Sequence, residues 1–378
     1  MTGVLFLSTV MPSQMGGARR LYFNLLHFSK KFEVHFIHVQ VGNEASEGLD
    51  LALPSGVKFT RLRCQGIAPD PAALLFPHKA MRLMKIASLR GQIDDYVRRH
   101  SISCRVAFTQ DCSFALRSVR CAAKVAEALD SYGLYYRSKA SANPGLKNVA
   151  LGVLMPALYK AAEFLYNRHY GAVVYVSELD RRSSAIPQEK IFVSFDVREA
   201  ETKPSLGLRR TDFALIGRWQ HPPNRDGLLS ARPHLGSLRG KVRVIGLGLP
   251  VGVEWPANTV PVGFVNDIGA ELSQTKVVLL PVWYGAGLQN KVFDALRHGC
   301  VVVTTPFTAQ SFLANGFSSP CIIGAEDVFS AANKALDSWS PADAKRAYAD
   351  YAVFREKTIS NEADYMTAVE KLASKSSI

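Results

Sequence analysis

Cysteine is scarce in this chain, and its placement excludes two classes of structure. The six cysteines in 378 residues (Cys64, Cys104, Cys112, Cys121, Cys300, Cys321) form no C-x-x-C pair and lie in apolar surroundings. They read as buried thiols of a reducing compartment, not as a disulfide framework or a thiolate metal site. The N-terminal stretch MTGVLFLSTVMP lacks a basic leader region, and Ser8 and Thr9 interrupt its apolar run, so a first strand is expected there instead of a signal peptide. The longest apolar stretch, residues 148 to 167, is cut by Pro156, Lys160 and Glu163, which argues against a membrane-spanning helix. No repeat or low-complexity tract is present. The formal charge of +13 favours anionic partners. No RRM, KH, zinc-finger or helix-turn-helix signature accompanies it, so a nucleic-acid-binding protein is the weaker reading.

Short β-rich runs alternate with helical patterns. VLFLS (4 to 8), FEVHFIHVQ (32 to 40), CRVAFT (104 to 109) and AVVYVS (172 to 177) form one series. DFALIGR (212 to 218), KVRVIGLG (241 to 248), TVPVGFV (259 to 265), KVVLLPV (276 to 282) and CVVVTTP (300 to 306) form a second. Nearly continuous apolar strands separated by helices indicate parallel sheets covered on both faces. The polar segment 194 to 211, with Pro204 and Gly207, suits a linker. The expected fold class is α/β: two Rossmann-like, doubly wound domains facing each other across a cleft. They would span residues 1–200 and 201–350, with a helical segment 351–378 packing back on the first. Ligands are expected at the carboxyl ends of the strands.

Residues 283 to 306, WYGAGLQNKVFDALRHGCVVVTTP, place Gly285, Ala286 and Gly287 just ahead of a helix that runs from about Gln289 to His298 and stops at Gly299. A helix N-terminus behind a loop without bulky side chains exposes unpaired N–H groups and a partial positive charge, which suits phosphate oxygens. Lys291 adds a full charge, and Asp294 offers two acceptor oxygens to the vicinal hydroxyls of a ribose. The alternative is an ordinary β-α turn whose glycines permit tight packing, with Lys291 and Asp294 solvated.

The second half resembles the nucleotide-sugar-binding domain of the GT-B glycosyltransferases, in the large retaining family (glycosyl transferases group 1) of bacterial polysaccharide, lipopolysaccharide and mannosyl transferases, and four pieces of the chain carry the likeness. They are LIGRWQHPPNRDGLL (215 to 229), VRVIGLG (242 to 248), the stretch 259 to 306, and VSE (176 to 178) ahead of EKIFVSFDV. The segment 11 to 39 extends the likeness over most of the chain. The resemblance implies a GT-B fold and transfer of a sugar from a nucleotide-diphosphate donor to a saccharide or lipid-linked acceptor in surface polysaccharide synthesis. It places Arg218 beside the donor diphosphate. The lysine that usually follows is missing between His221 and Asp226, so Lys291 is expected to supply the second cation. Of the family's paired glutamates, Ala286 replaces the first and Asp294 the second. The ribose contact passes to Asp294, and the backbone at Gly285, Gly287, Leu288 and Gln289 would hold phosphates and sugar.

In the N-terminal half, Gly16 and Gly17 border the β-phosphate by the same resemblance, and Arg19 and Arg20 would meet an anionic acceptor unless they are solvated first-turn residues. Asp111, after the expected strand CRVAFT, and Asp130, in EALDSYGLYYRSK, would face the cleft and are candidate catalytic groups. An ordinary helix cap is the alternative for both, and the better reading for Asp111; Glu178 likewise has the alternative of a helix-start residue. His27, His35 and His38 read as packed or exposed histidines. Departure of a diphosphate needs positioning and electrostatic stabilisation more than a general base. A D-x-D motif is absent, so no metal and no cofactor are expected. Two segments that mix basic and apolar residues, 78 to 100 and 137 to 170, suit an anionic membrane surface. The bland reading of the first is a core-packed helix with a solvated basic face. The expected location is the cytoplasm, peripheral on the inner face of the membrane. A GT-B sugar epimerase and a non-catalytic binding module remain alternatives. The donor sugar, base, acceptor, linkage and oligomeric state are not legible.

Overall fold

The computed structural model describes residues 2–12, 19–42, 53–195 and 209–374. The chain divides into two compact units. The first comprises 1–134, 153–196 and 360–378, and the second comprises 135–152 and 197–359. The proposed linker falls mostly on 196–208, outside the described residues.

In the first unit, among the described residues, seven strands form one parallel sheet. They are β1 (Gly3–Ser8), β2 (Glu33–Gln40), β3 (Lys58–Arg63), β4 (Ile102–Phe108), β5 (Ala123–Leu129), β6 (Ala172–Tyr175) and β7 (Ile191–Val193), in the order β3-β2-β1-β4-β5-β6-β7. β1 and β4, adjacent in register from Val4 opposite Cys104 to Ser8 opposite Phe108, are buried along almost their whole length, as a sheet covered on both faces requires. Val4, Phe6, Val34, Phe36, Val106 and Val125 form the core under the helix Arg19–Phe28. The last turns of the long helix Pro341–Ser374 add Tyr365, Val369 and Ala373 to it.

In the second unit, among the described residues, six strands form another parallel sheet: β8 (Thr211–Ile216), β9 (Val242–Ile245), β10 (Thr259–Gly263), β11 (Thr275–Leu280), β12 (Val301–Thr304) and β13 (Ile322–Gly324), in the order β10-β9-β8-β11-β12-β13. Counted from its own first strand, this is the 3-2-1-4-5-6 order of a dinucleotide-binding Rossmann fold. The order reverses between β8 and β11, which pair directly, with Val277 opposite Phe213. The crevice above this switch point opens between the loop after Ile216 and the loop after Leu280.

The helix Leu146–Tyr166 departs from the sequence expectation. Pro156 lies inside it without ending it, and the stretch 146–169 is long and apolar enough to span a bilayer by length and composition. Its buried face explains the continuity: Met155, Pro156, Tyr159, Ala162, Glu163 and Tyr166 pack inward. Phe76 stacks on Tyr159 with centroids 4.5 Å apart. Tertiary packing of this kind offsets the one backbone bond that proline removes.

Candidate functional site in the second unit

The loop after β11 is built from residues that keep side chains out of the switch-point crevice. Gly287 holds φ +72° and Gly285 φ +154°, both in a region L side chains rarely adopt. Ser138 fixes the loop from below. Its hydroxyl accepts from the Gly285 amide at 3.0 Å and is within 2.8 Å of the Gly285 carbonyl, to which it donates. Tyr284 is buried next to it, packs edge-on against Tyr135 at 5.7 Å and donates its hydroxyl to Asp226 Oδ2 at 2.6 Å. Burial, and then donation to the Asp226 carboxylate, hold the Tyr284 hydroxyl protonated far above its usual range.

The helix Asn290–Arg297 follows. Its N-cap, Gln289, makes no side-chain capping bond, and no acidic residue stands in the first turn. Other helices of this sheet are closed by their own side chains: Asp267 accepts from Ala270, Thr305 from Thr308, and Asp327 from Phe329 and Ser330. The switch-point helix thus retains open amides and an uncompensated positive end.

Lys291, in the first turn, is linked through Asn224 to the backbone of Arg218 and shares a field with His221. Lys291 donates through Nζ to Asn224 Oδ1 at 2.7 Å, and Asn224 Nδ2 donates to the Arg218 carbonyl at 3.0 Å. Burial pulls the Lys291 ammonium down to about 7. His221 is also lowered, first by burial and then by the charges of Lys291 and Arg218, which places the three groups in one field. Arg218 is exposed at the end of β8. Like charges converge here on a helix N-terminus, which is unfavourable without an anion and favourable with one.

Asp294 lies one turn after Lys291 on the same helix, half-buried, with Arg297 Nη2 at a loose 3.9 Å from Oδ1. Ala286 stands in the open loop. Arg218 and the stretch Gly285, Ala286, Gly287, Leu288 and Gln289 therefore sit on two loops flanking one switch point, with Lys291 and Asp294 on the following helix. Two members escaped the sequence reading. Asn224 is a neutral amide with no diagnostic spacing, and His221 stood in the stretch scanned only for a lysine.

The N-terminal candidates fare differently. Gly16 and Gly17 lie outside the described residues. The acceptor role read for Arg19 and Arg20 needs correction, because both are buried. Arg20 Nε donates to Glu127 Oε2 at 2.9 Å and Nη1 to the Ser194 carbonyl at 2.6 Å, so its charge is consumed inside the first unit. Asp111 accepts from Lys79 at 3.0 Å and from Arg82 at 3.0 Å, while Thr109, not Asp111, occupies the N-cap position. Glu178 is in the first turn of the helix Glu178–Ser183, capped by Ser177, and pairs with Arg181 and Arg182.

Asp130 keeps solvent access after β5, and desolvation pushes its carboxyl up to about 6. Its loop is anchored by the Ser131 amide, which donates to buried Asp180 Oδ1 at 2.7 Å. Leu129 and Thr109, at the ends of β5 and β4, hold φ of +65° and +83°, strain of the kind that collects where a sheet presents functional groups. His35 is buried, donating or accepting at Tyr96 Oη 2.9 Å away, and His27 contacts Glu362. His38 is buried as well.

Residues 210–339 match the family model of glycosyl transferases group 1. No curated protein sequence matches the chain significantly. Among solved structures, Anabaena Alr3699/HepE in complex with UDP and glucose superimposes with a TM-score of 0.65 at 13% identity, covering 98% of this chain and 100% of that one. S. aureus TarM, in complex with Fondaparinux, alpha-GlcNAc-glycerol and UDP, gives 0.65 at 10% identity over 98% and 100% of the two chains. Sucrose-phosphate synthase from Thermosynechococcus elongatus gives 0.61 at 12% identity over 99% and 98%. At such identities the likeness speaks for the fold, which is GT-B, and the second unit carries over 210–339 the pattern of the glycosyl transferases group 1.

Proposed function

We propose that the protein is a retaining glycosyltransferase that moves a sugar from a nucleoside-diphosphate sugar to a saccharide or lipid-linked acceptor, in synthesis of a surface polysaccharide. One observation carries the reading. Lys291 stands in the first turn of the uncapped helix Asn290–Arg297, within electrostatic reach of His221, which also feels Arg218, behind a loop whose Gly285 and Gly287 hold positive φ. That arrangement suits a diphosphate, whose oxygens need several donors and opposing charge at once. The UDP and UDP-glucose complexes of HepE, which shares the fold, point to the same class of donor.

In this reading Arg218 takes two diphosphate oxygens through its planar guanidinium. Lys291 is released from Asn224 and donates to a third, and the first-turn amides complete the cradle. Charge that develops on the departing diphosphate is stabilised by groups already in place, which lowers the barrier without reorganisation. Asp294 accepts from the ribose hydroxyls. The absence of a glutamate at Ala286 leaves the donor sugar to be held by backbone amides of Gly287, Leu288 and Gln289. Front-side attack, with the leaving phosphate taking the acceptor proton, retains anomeric configuration and asks for no enzymatic base. Asp130, with a carboxyl raised to about 6, orients the acceptor hydroxyl. The proposal assigns charge neutralisation to protein cations and amides, with no metal or cofactor. The six free cysteines suit the cytoplasm.

The test is turnover of a panel of labelled nucleotide sugars, followed as label entering a saccharide or lipid fraction. Transfer or release of nucleoside diphosphate from one donor, abolished in Arg218→Ala, supports the reading. Tight binding of a nucleotide sugar with interconversion of its sugar would replace transfer by epimerisation, and binding without chemistry would leave a binding module.

A further inference from the structure

We infer that the helix Leu146–Tyr166 is an in-plane docking element for an anionic lipid surface. The observation is a continuous apolar stripe left outside the protein. Leu146 is 90% exposed, Val153 72%, Leu154 55% and Phe164 50%, with Val149 and Leu165 also exposed. At 100° per residue Leu146, Val153 and Phe164 fall within about 20° of one another, so they line one edge over roughly 27 Å of helix. Single exposed apolar residues need no explanation, but an aligned row of this length does.

The charges on the same face choose the occupant. Lys147, Lys160 and Arg168 are exposed among or beside the apolar residues, with the Arg168 guanidinium 5.1 Å from the Phe164 ring centre. The acidic residue of the helix, Glu163, points the other way. It is buried and accepts from Ser184 Oγ at 2.9 Å, from Gln110 Nε2 at 3.3 Å and from the Ala185 amide at 3.3 Å. An exposed face bearing aliphatic and aromatic groups with cations, and no carboxylate, matches the boundary between acyl chains and anionic headgroups. It matches a second copy of itself poorly, since like charges would meet.

The buried face decides between lying on a bilayer and crossing it. Met155, Tyr159, Ala162, Glu163 and Tyr166 are committed to the protein interior, so this helix cannot be surrounded by lipid although its length and composition would permit it. The other basic stretch, 78 to 100, does not compete for the role. Lys79 and Arg82 are held by Asp111, Arg90 by Asp70 and Arg98 by Asp95, and Leu83, Ile86, Ile93 and Val97 are buried.

The experiment is co-flotation of the full-length protein with vesicles of phosphatidylglycerol and phosphatidylcholine, and with vesicles of phosphatidylcholine alone. The protein is expected to float with the anionic vesicles and to release as salt rises. Val153→Glu with Leu154→Glu should lower that partitioning roughly ten-fold or more, since it removes buried apolar area and adds repulsion. Lys147→Gln with Lys160→Gln should abolish the preference for anionic vesicles. All four positions are exposed, and an unchanged melting transition verifies that the variants fold. Equal flotation with both vesicle types, or anionic flotation unaffected by the Val153/Leu154 pair, overturns the inference. So does a protein that ignores both vesicles and instead sediments as a dimer that the Val153/Leu154 pair dissociates, because the stripe is then an interface between copies.

Discussion

Replacing Lys291 by Met should make the unliganded protein more stable and the liganded protein weaker. The lysine is pulled from its ordinary 10.5 to about 7 by burial alone. At 1.36 kcal/mol per pK unit, the full desolvation cost would be on the order of 5 kcal/mol. The residue is half-buried, and solvent screening reduces this to roughly 2 kcal/mol. Against it stands one hydrogen bond, to Asn224 at 2.7 Å, worth about 1 kcal/mol. The balance favours Met in the empty protein by about 1 kcal/mol at pH 7. The pH dependence has a definite sign. Between about 7 and 10.5 the unfolded state binds more protons at this residue than the folded state, so the cost is fully present below pH 7 and fades as pH rises toward 10. The stability advantage of Met should fade with it. A bound diphosphate restores the charge, so binding at pH 8 should take up a proton, and the variant should lose roughly ten- to a hundred-fold in affinity, one charge-assisted bond. Thermal unfolding from pH 6 to 10, and calorimetric titration with nucleoside diphosphates in buffers of different ionisation enthalpy, measure both halves. A Met variant that is less stable at pH 7 and binds diphosphate as well as the wild type would refute the reasoning.

Other substitutions probe the remaining parts. Asp294→Asn should cost about ten-fold in donor affinity, and a 2′,3′-dideoxy nucleotide should show no further loss in the variant; full additivity would remove Asp294 from the ribose. Arg20→Met should destabilise the first unit by about 3 to 5 kcal/mol, because it leaves the buried Glu127 without its countercharge, held only by Asn24 and Tyr365, and a melting temperature within error of wild type would contradict this. In Gly227→Ala the new methyl would stand 2.1 Å from the Pro281 carbonyl oxygen. The helix bearing Asn224 and Asp226 must then shift, at a cost of about 1 to 3 kcal/mol together with lost donor binding. If Asp130 orients the acceptor as an anion, turnover should fall as pH drops through about 6, and the Asp130→Asn variant should lack that limb.

Strands that lie in the middle of each sheet were legible in sequence because burial on both faces writes a continuous apolar run, as in β1, β4, β8 and β11. β5 was not. Its sequence, AKVAEAL, consists largely of helix formers, and only the sheet around it makes it a strand, with Glu127 neutralised by Arg20 and bonded by Asn24 and Tyr365. β3 escaped because KFTRLR, at the sheet edge, is largely exposed. The same blindness misplaced Arg20, since charge in a sequence does not reveal a partner on a distant strand. The glycine loop was legible from its composition, as was Lys291 from the missing lysine elsewhere. Asn224, which aims Lys291, was not, because a neutral amide takes its meaning only from what stands 2.7 Å away.

The central claim, that the second unit binds a nucleoside diphosphate at Arg218, Lys291 and the N-terminus of the helix Asn290–Arg297, is tested most directly by calorimetric titration of wild type and Arg218→Ala with uridine, guanosine and adenosine diphosphates. The expected result is saturable one-to-one binding of at least one of the three to the wild type, weakened about ten-fold or more in the variant. Absence of binding by all three, or equal affinity in the two proteins, would contradict it.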